Sequence, residues 1–309
     1  MAHLTTISDN INPGSVWYNP TLNTLQYSYF GGAWSAGGPL ITARQGLAGA
    51  GTQTAGLAFG GVIPFVSVSC TEAYDGESWS TCSNLITARH TLGGTGTQNA
   101  GLAFGGLACG TVVSCTEEYN GASWSTCTSL ITARYQLAGA GTQNEGLAFG
   151  GRTPSILGCT EEYNGSTNIW STCGSLATAR YSLAGAGTQN AGLAFGGYED
   201  GFVIVSCTEA YDGSSWSTGG YLITARKQLA GAGTQNAGLA FGGLNPSEVS
   251  CTEEYNGTSW SSGGALSTAR YNLAGAGTQN AGLAFGGYAF PASVSCTEEY
   301  NIGMQICTL

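Results

Sequence analysis

Short apolar stretches broken by Gly-rich and polar turns recur along the chain, and each recurrence reads as four short strands. In the first copy these are residues 47–51, 56–59, 68–74 and 78–82, with Gly60-Gly61 closing the second. The third and fourth are joined by Asp75-Gly76, and in later copies by Asn120-Gly121 or Asn256-Gly257, pairs that accept positive φ in a tight hairpin. The first and second are joined by Thr-Gln-Asn in most copies. Each Gly weakens a helix by about 1 kcal/mol, so the Gly density argues against helices.

The copies are regular. A Thr-Ala-Arg triplet ends at Arg44, Arg89, Arg134, Arg180, Arg226 and Arg270, at spacings of 45, 45, 46, 46 and 44. Gly-Gly pairs begin at Gly60, Gly105, Gly150, Gly196, Gly242 and Gly286, followed by Cys-Thr-Glu-Glu-Tyr or a close variant. Four antiparallel strands in each repeat of this length make one propeller blade, and a blade cannot bury both faces alone. Small residues on the first strand suit a crowded axis, and Trp on the fourth fills the wider outer wedge. The fold predicted is all-β: a six-bladed β-propeller, residues 31–309, preceded by an N-terminal β segment, residues 1–30, for attachment or edge cover.

The last copy has no Trp after Tyr300; Gln305 stands there. Trp34 precedes Leu40 by six residues and Arg44 by ten, the offsets that relate Trp79 to Leu85 and Arg89. An N-terminal strand, residues 33–37, is therefore expected to complete the last blade. Cys296 and Cys307 echo the hairpin cysteines of other copies, so residues 304–308 are the competing choice.

The Arg before strand one, the double Gly after strand two, the Glu-x-Tyr on strand three and the Trp on strand four resemble the kelch family over residues 31–301. In the first copy these are Arg44, Gly60-Gly61, Glu72, Tyr74 and Trp79. The chain departs from that family in its low charge and near-verbatim copies. Gly14-Ser15-Val16-Trp17-Tyr18-Asn19-Pro20-Thr21, Leu25-Gln26-Tyr27 and Gly32-Ala33-Trp34 resemble a segment of bacteriophage tail-fibre and virion proteins. A plain β-meander covering the propeller edge explains the same residues.

Charged residues are 8% of the 309, against about 25% in an ordinary soluble domain. The net charge is 8 − 18 = −10, which lacks the basic footprint of a nucleic-acid binder. No run of about 18 apolar residues marks a membrane span. The start of the chain shows no signal-peptide pattern. With only His3 and His90 and no Cys-x-x-Cys, a metal site is not expected, nor is any cofactor. Paired His ligands, as in kelch-type copper oxidases, are missing.

Adjacent glutamates such as Glu117-Glu118 point to opposite sheet faces and cannot act as an acid–base pair, so no enzyme is expected. Glu72, Glu117, Glu161, Glu209, Glu253 and Glu298 are instead expected to pair with the six arginines. A ring of Arg binding an anionic ligand is the alternative. Cys70/Cys82, Cys115/Cys127 and Cys159/Cys173 are candidate cross-strand disulfides in an oxidising compartment, or else buried free thiols.

The copies differ in two places: the connections between strands two and three (62–67, 107–113, 152–157, 198–205, 244–248, 288–292), and the residue after each Arg. Strand alternation puts both on one face, where recognition is expected. The candidate ligand-binding residues are His90, Tyr135, Tyr181, Lys227 and Tyr271, with Phe65, Tyr198 and Tyr288 from the connections. Rings that stack beside amides that hydrogen-bond suit carbohydrate or protein surfaces.

Together with the phage resemblance, this makes the expected function that of a virion component (fibre, adhesin or decoration) binding a host-surface glycan or another virion protein, with homo-oligomers open. The alternative is a cytoplasmic kelch adaptor gripping a protein or peptide over its Arg-bearing face.

Overall fold

The computed structural model describes residues 15–308, which are all-β apart from one 3-10 turn, Asp200–Phe202. Six antiparallel four-stranded units form a closed ring, each innermost strand touching those of both neighbours. It is a six-bladed β-propeller. In blade 1, Ala48–Thr52, Ala55–Phe59, Thr71–Tyr74 and Trp79–Thr81 run outward from the axis. Strand three is shorter than predicted because residues 68–70 serve the double-glycine corner instead. There the Gly60 amide donates to the Cys70 carbonyl and the Val68 amide to that of Gly61.

Blade 6 is Ala274–Gly277, Ala281–Phe285, Thr297–Thr308 and the N-terminal strand Thr24–Gly37. Trp34 lies opposite Tyr300 as Trp79 lies opposite Tyr74, so the N-terminus supplies the missing strand. Residues 304–308 do not compete for that place: Met304 to Thr308 pair with Phe30 to Gln26, beyond the blade. Both strands run past the point where other blades turn, and Val16–Asn19 adds a third strand. The resulting ribbon leaves from the face that carries the turns between strands three and four. Strand Thr24–Gly37 crosses residue 30, so the N-terminal segment is continuous with blade 6; residues 1–14 lie outside the described residues.

The apolar core lies between blades. Six clusters of buried residues occur, each shared by two neighbours; one joins Leu57 and Phe59 of blade 1 to Ala103, Tyr119 and Trp124 of blade 2. Trp124 sits 5.1 Å from its own Tyr119 and 5.1 Å from Phe59 of the preceding blade, and its Nε1 donates to Thr71 Oγ1 there. Trp34 repeats this at the seam, donating to Thr252 Oγ1 of blade 5 and packing on Phe241. Each wedge of this size stabilises by roughly 1.5–3 kcal/mol or more. Near the axis the blades close until only glycine fits. A Cβ on Gly49 would lie 2.6 Å from the Phe285 ring and 2.7 Å from the Gly275 carbonyl oxygen.

Polar latches lie at both ends of this core. The Gln of each strand-one turn reaches back to the previous blade, as Gln98 Nε2 does to the carbonyls of Gly56 and Tyr74. Gln53 makes the same latch across the seam, to Gly282 and Tyr300. At the other end Gly46, Thr91, Gln136, Ser182, Gln228 and Asn272 form a ring of backbone hydrogen bonds, each N–H donating to the preceding blade's carbonyl at 2.7–2.9 Å. All six hold positive φ, 51° to 61°, although only one is glycine. That conformation is uncommon for side chains such as Thr, and here it directs donor and acceptor along the circle.

Trp79→Ala is expected to cost about 3–5 kcal/mol in guanidinium unfolding, and Trp34→Ala to destabilise in the same direction. An unchanged midpoint for Trp34→Ala would show that closure does not depend on the N-terminal strand.

Candidate binding face

The six Thr-Ala-Arg arginines are fully buried, and each meets the strand-three glutamate of its own blade. Arg89–Glu117 and Arg180–Glu209 close at 3.2 and 2.6 Å. Glu117 also accepts from the Ile86 and Thr87 amides at 2.7 and 3.2 Å. The carboxylate thus ties the incoming strand four-to-one connection to strand three. Arg89 Nη2 further donates to the Ala103 carbonyl at 3.2 Å. With no exposed guanidinium among them, these six arginines do not form an open ring for an anionic ligand. The neighbouring glutamates face the other way, into the blade interface: Glu118 accepts from the Tyr163 hydroxyl at 2.8 Å and Glu162 from that of Tyr211 at 2.8 Å.

The candidate disulfides are corrected by register. Thr116 lies opposite Cys127 and Thr160 opposite Cys173, so Cys115 and Cys159 are one residue out of step. In blade 1, Glu72 opposite Thr81 sets the same offset for Cys70 and Cys82. A one-residue offset turns the two side chains to opposite sheet faces. All six are free thiols. Cys159 and Cys251 receive hydrogen bonds from Arg134 and Arg226 at 3.0 and 2.9 Å. Cys127 and Cys173 lie in the interfaces beside Tyr163 and Tyr211, and burial pushes each thiol up to about 11.

The residue after each Arg starts the variable face. It forms a bridge with the first residue beyond the double glycine: Gln45–Val62, His90–Leu107, Tyr135–Arg152, Tyr181–Tyr198, Lys227–Leu244 and Tyr271–Tyr288. The connections are not plain loops. Five of them fold into short hairpins, among them Val62–Ile63 with Val66–Ser67 and Tyr288–Ala289 with Ala292–Ser293. Each blade therefore presents a fixed cross-strand pair, five of the six with a projecting hairpin, and the axial ring holds the pairs around a common centre.

The predicted residues separate into two groups. On blades 3 to 5, Tyr135, Tyr181, Tyr198 and Lys227 join into one ladder through Arg152, absent from the predicted set. The Arg152 guanidinium lies 5.7 Å from the Tyr135 ring centre and 4.7 Å from that of Tyr181. Tyr181 packs edge-on against Tyr198 at 5.3 Å, and Lys227 Nζ lies 3.7 Å over Tyr198. Burial raises Tyr181 and lowers Lys227 from their ordinary values. Beside the ladder is a hollow of about 540 Å³, lined by Arg152, Tyr181, Glu199, Asp200 and Phe202 among others.

On blades 6, 1 and 2, Phe65, His90, Tyr271 and Tyr288 line a second hollow of about 840 Å³. Tyr271 and Tyr288 pack with ring centres 5.4 Å apart, tilted by 49°. His90 Nδ1 lies 2.9 Å from the Ser67 hydroxyl, and burial holds the imidazole below its ordinary value.

Three hairpin tips present bare aromatic rings: Phe65, Phe202 and Phe290 are 100%, 84% and 81% exposed. Phe65 and Phe202 also hold positive φ, 146° and 64°, a strained backbone for a bulky residue. Arg152 could have been singled out by count. Six of the chain's eight Lys and Arg belong to the triplets, and the remaining two, Arg152 and Lys227, both fall in the variable segments. Among the described residues no group of three His, Cys, Asp or Glu is placed to hold a metal, and no helix is long and apolar enough to cross a membrane.

Two outcomes follow. Glu117→Ala should lose about 3–5 kcal/mol in chemical denaturation by stranding Arg89 in the core, and Arg89→Met/Glu117→Leu should recover most of it. Native alkylation followed by mass spectrometry should label exposed Cys109 well before Cys127 and Cys173, which need unfolding first.

No protein-family model matches this chain, and no curated protein matches it.

Proposed function

We propose that this chain is a non-enzymatic binding protein of kelch type, a virion component of a bacteriophage. In this reading the variable face recognises a host-surface glycan or another virion protein, and the opposite side attaches it to the particle. The observation that carries the reading is the separation of the two ends of the blades. Near-identical turns and the terminal ribbon occupy one side, while every variable hairpin and every bare aromatic tip occupies the other. A scaffold that repeats almost verbatim and varies most there concentrates its differences on a surface for contact.

The chemistry of that face supports a saccharide. Tyr271 and Tyr288 offer aromatic surface to sugar C–H groups, with Gln45, Ser67 and His90 nearby for hydroxyls. The N-terminal resemblance to tail-fibre and virion proteins supports the particle. Strained Phe65 and Phe202, held out into solvent, fit tips that gain their packing from a partner.

Mass spectrometry of purified virions should find the chain. Exchanging the blade 4 and blade 6 connections for that of blade 5 should reduce adsorption to host cells by about tenfold or more, as loss of interface hot spots does, with an unchanged thermal midpoint. Virions without the chain would overturn the proposal.

A further inference from the structure

We infer that the hollow beside Arg152 is a subsite for an acidic saccharide, whose carboxylate is held by the Arg152 guanidinium. The inference rests on the reading of the variable face as a carbohydrate-binding surface and names the class of sugar. Charge accounting leads to the site. Each triplet arginine is neutralised by a buried glutamate, which leaves Arg152 and Lys227 as the two cations without an ion pair among the described residues. In a molecule of net charge −10 both stand on neighbouring parts of one face.

Geometry defines what Arg152 can still do. Tyr135 and Tyr181 lie beside the guanidinium, and no carboxylate among the described residues pairs with it, so its N–H fork is left for a ligand. That fork matches the two oxygens of a carboxylate. Glu199 and Asp200 line the same hollow, yet neither forms an ion pair with Arg152. Their oxygens are acceptors for sugar hydroxyls, and Ser155 adds a hydroxyl of its own. Phe202 and Tyr181 supply apolar surface for a pyranose ring. A volume of about 540 Å³ accommodates a ligand of that size.

The acidic surroundings select against dense polyanions, since a nucleic-acid backbone or a heavily sulfated chain brings many charges toward a negative molecule. A saccharide with one carboxylate per few sugars brings a single charge to the single guanidinium.

The test uses the full chain against immobilised hyaluronan and gellan, which carry one carboxylate per two and per four sugars, each beside its carboxyl-reduced form, with a heavily sulfated glycan for comparison. At least one carboxylated polymer should bind about tenfold or more above its reduced form, in line with charge-assisted hydrogen bonds. Arg152→Gln should abolish the difference, and Arg152→Lys should restore only part of it because a point charge lacks the fork. Thr54→Asp, which adds the same negative charge on the opposite face, should leave it intact, and all variants should melt alike.

Equal binding of carboxylated and reduced forms, or a preference untouched by Arg152→Gln, overturns this inference and leaves the broader glycan reading standing. Stronger retention of the sulfated glycan also overturns it. Absence of binding to every polymer, reduced forms included, counts against both this inference and glycan recognition, while detection in virions would still stand for the particle.

Discussion

No blade has a core of its own; the apolar clusters exist only where two blades meet. Every blade therefore needs a neighbour on each side, and an open array would leave two of these faces in water. The ring resolves this by borrowing its last strand from the N-terminus, so that Trp34 fills the wedge of blade 6. The closing contact is of the same kind as the others, with the indole on Phe241 and Thr252 and the Gln53 latch on Gly282 and Tyr300. Closure also lets the six axial backbone hydrogen bonds form a circle without an end.

The buried ion pairs have a consequence at the surface. A buried Arg–Glu pair is weak evidence for stability, because desolvation offsets much of its attraction. Here the pairs also organise the backbone, with two amides on the carboxylate in five blades, one in blade 6, and backbone carbonyls on the guanidinium. Placing six of eight cations inside leaves an acidic exterior on which the positions of Arg152 and Lys227 stand out. The same rigid corners that bury the arginines set the following residue beside its hairpin, so that variation at Tyr135, Tyr181 and Tyr271 changes the face without disturbing the blade.

Reading a repeat is most secure where the copies agree. Blade number, strand order, hairpin turns and the Arg–Glu partners follow from comparison of copies, because identical residues must satisfy identical surroundings. The closing strand was legible too, since Trp34, Leu40 and Arg44 carry the spacing of a complete copy. The cysteines show the limit. Counting from a turn places a strand residue to within about one position, and one position decides the face. That is why Cys115 and Cys127 looked paired and are not.

By itself the sequence determined the blade, its multiplicity and the face that varies, all set by local turn chemistry and by periodic residues repeated in register. Tertiary structure alone decided which variable residues are neighbours. Tyr135, Arg152, Tyr181, Tyr198 and Lys227 come from three blades and are spread over residues 135–227, yet form one ladder. Their contact depends on how far adjacent blades rotate about the axis, and that angle is set by the bulk of the wedge between them rather than by any residue in the ladder.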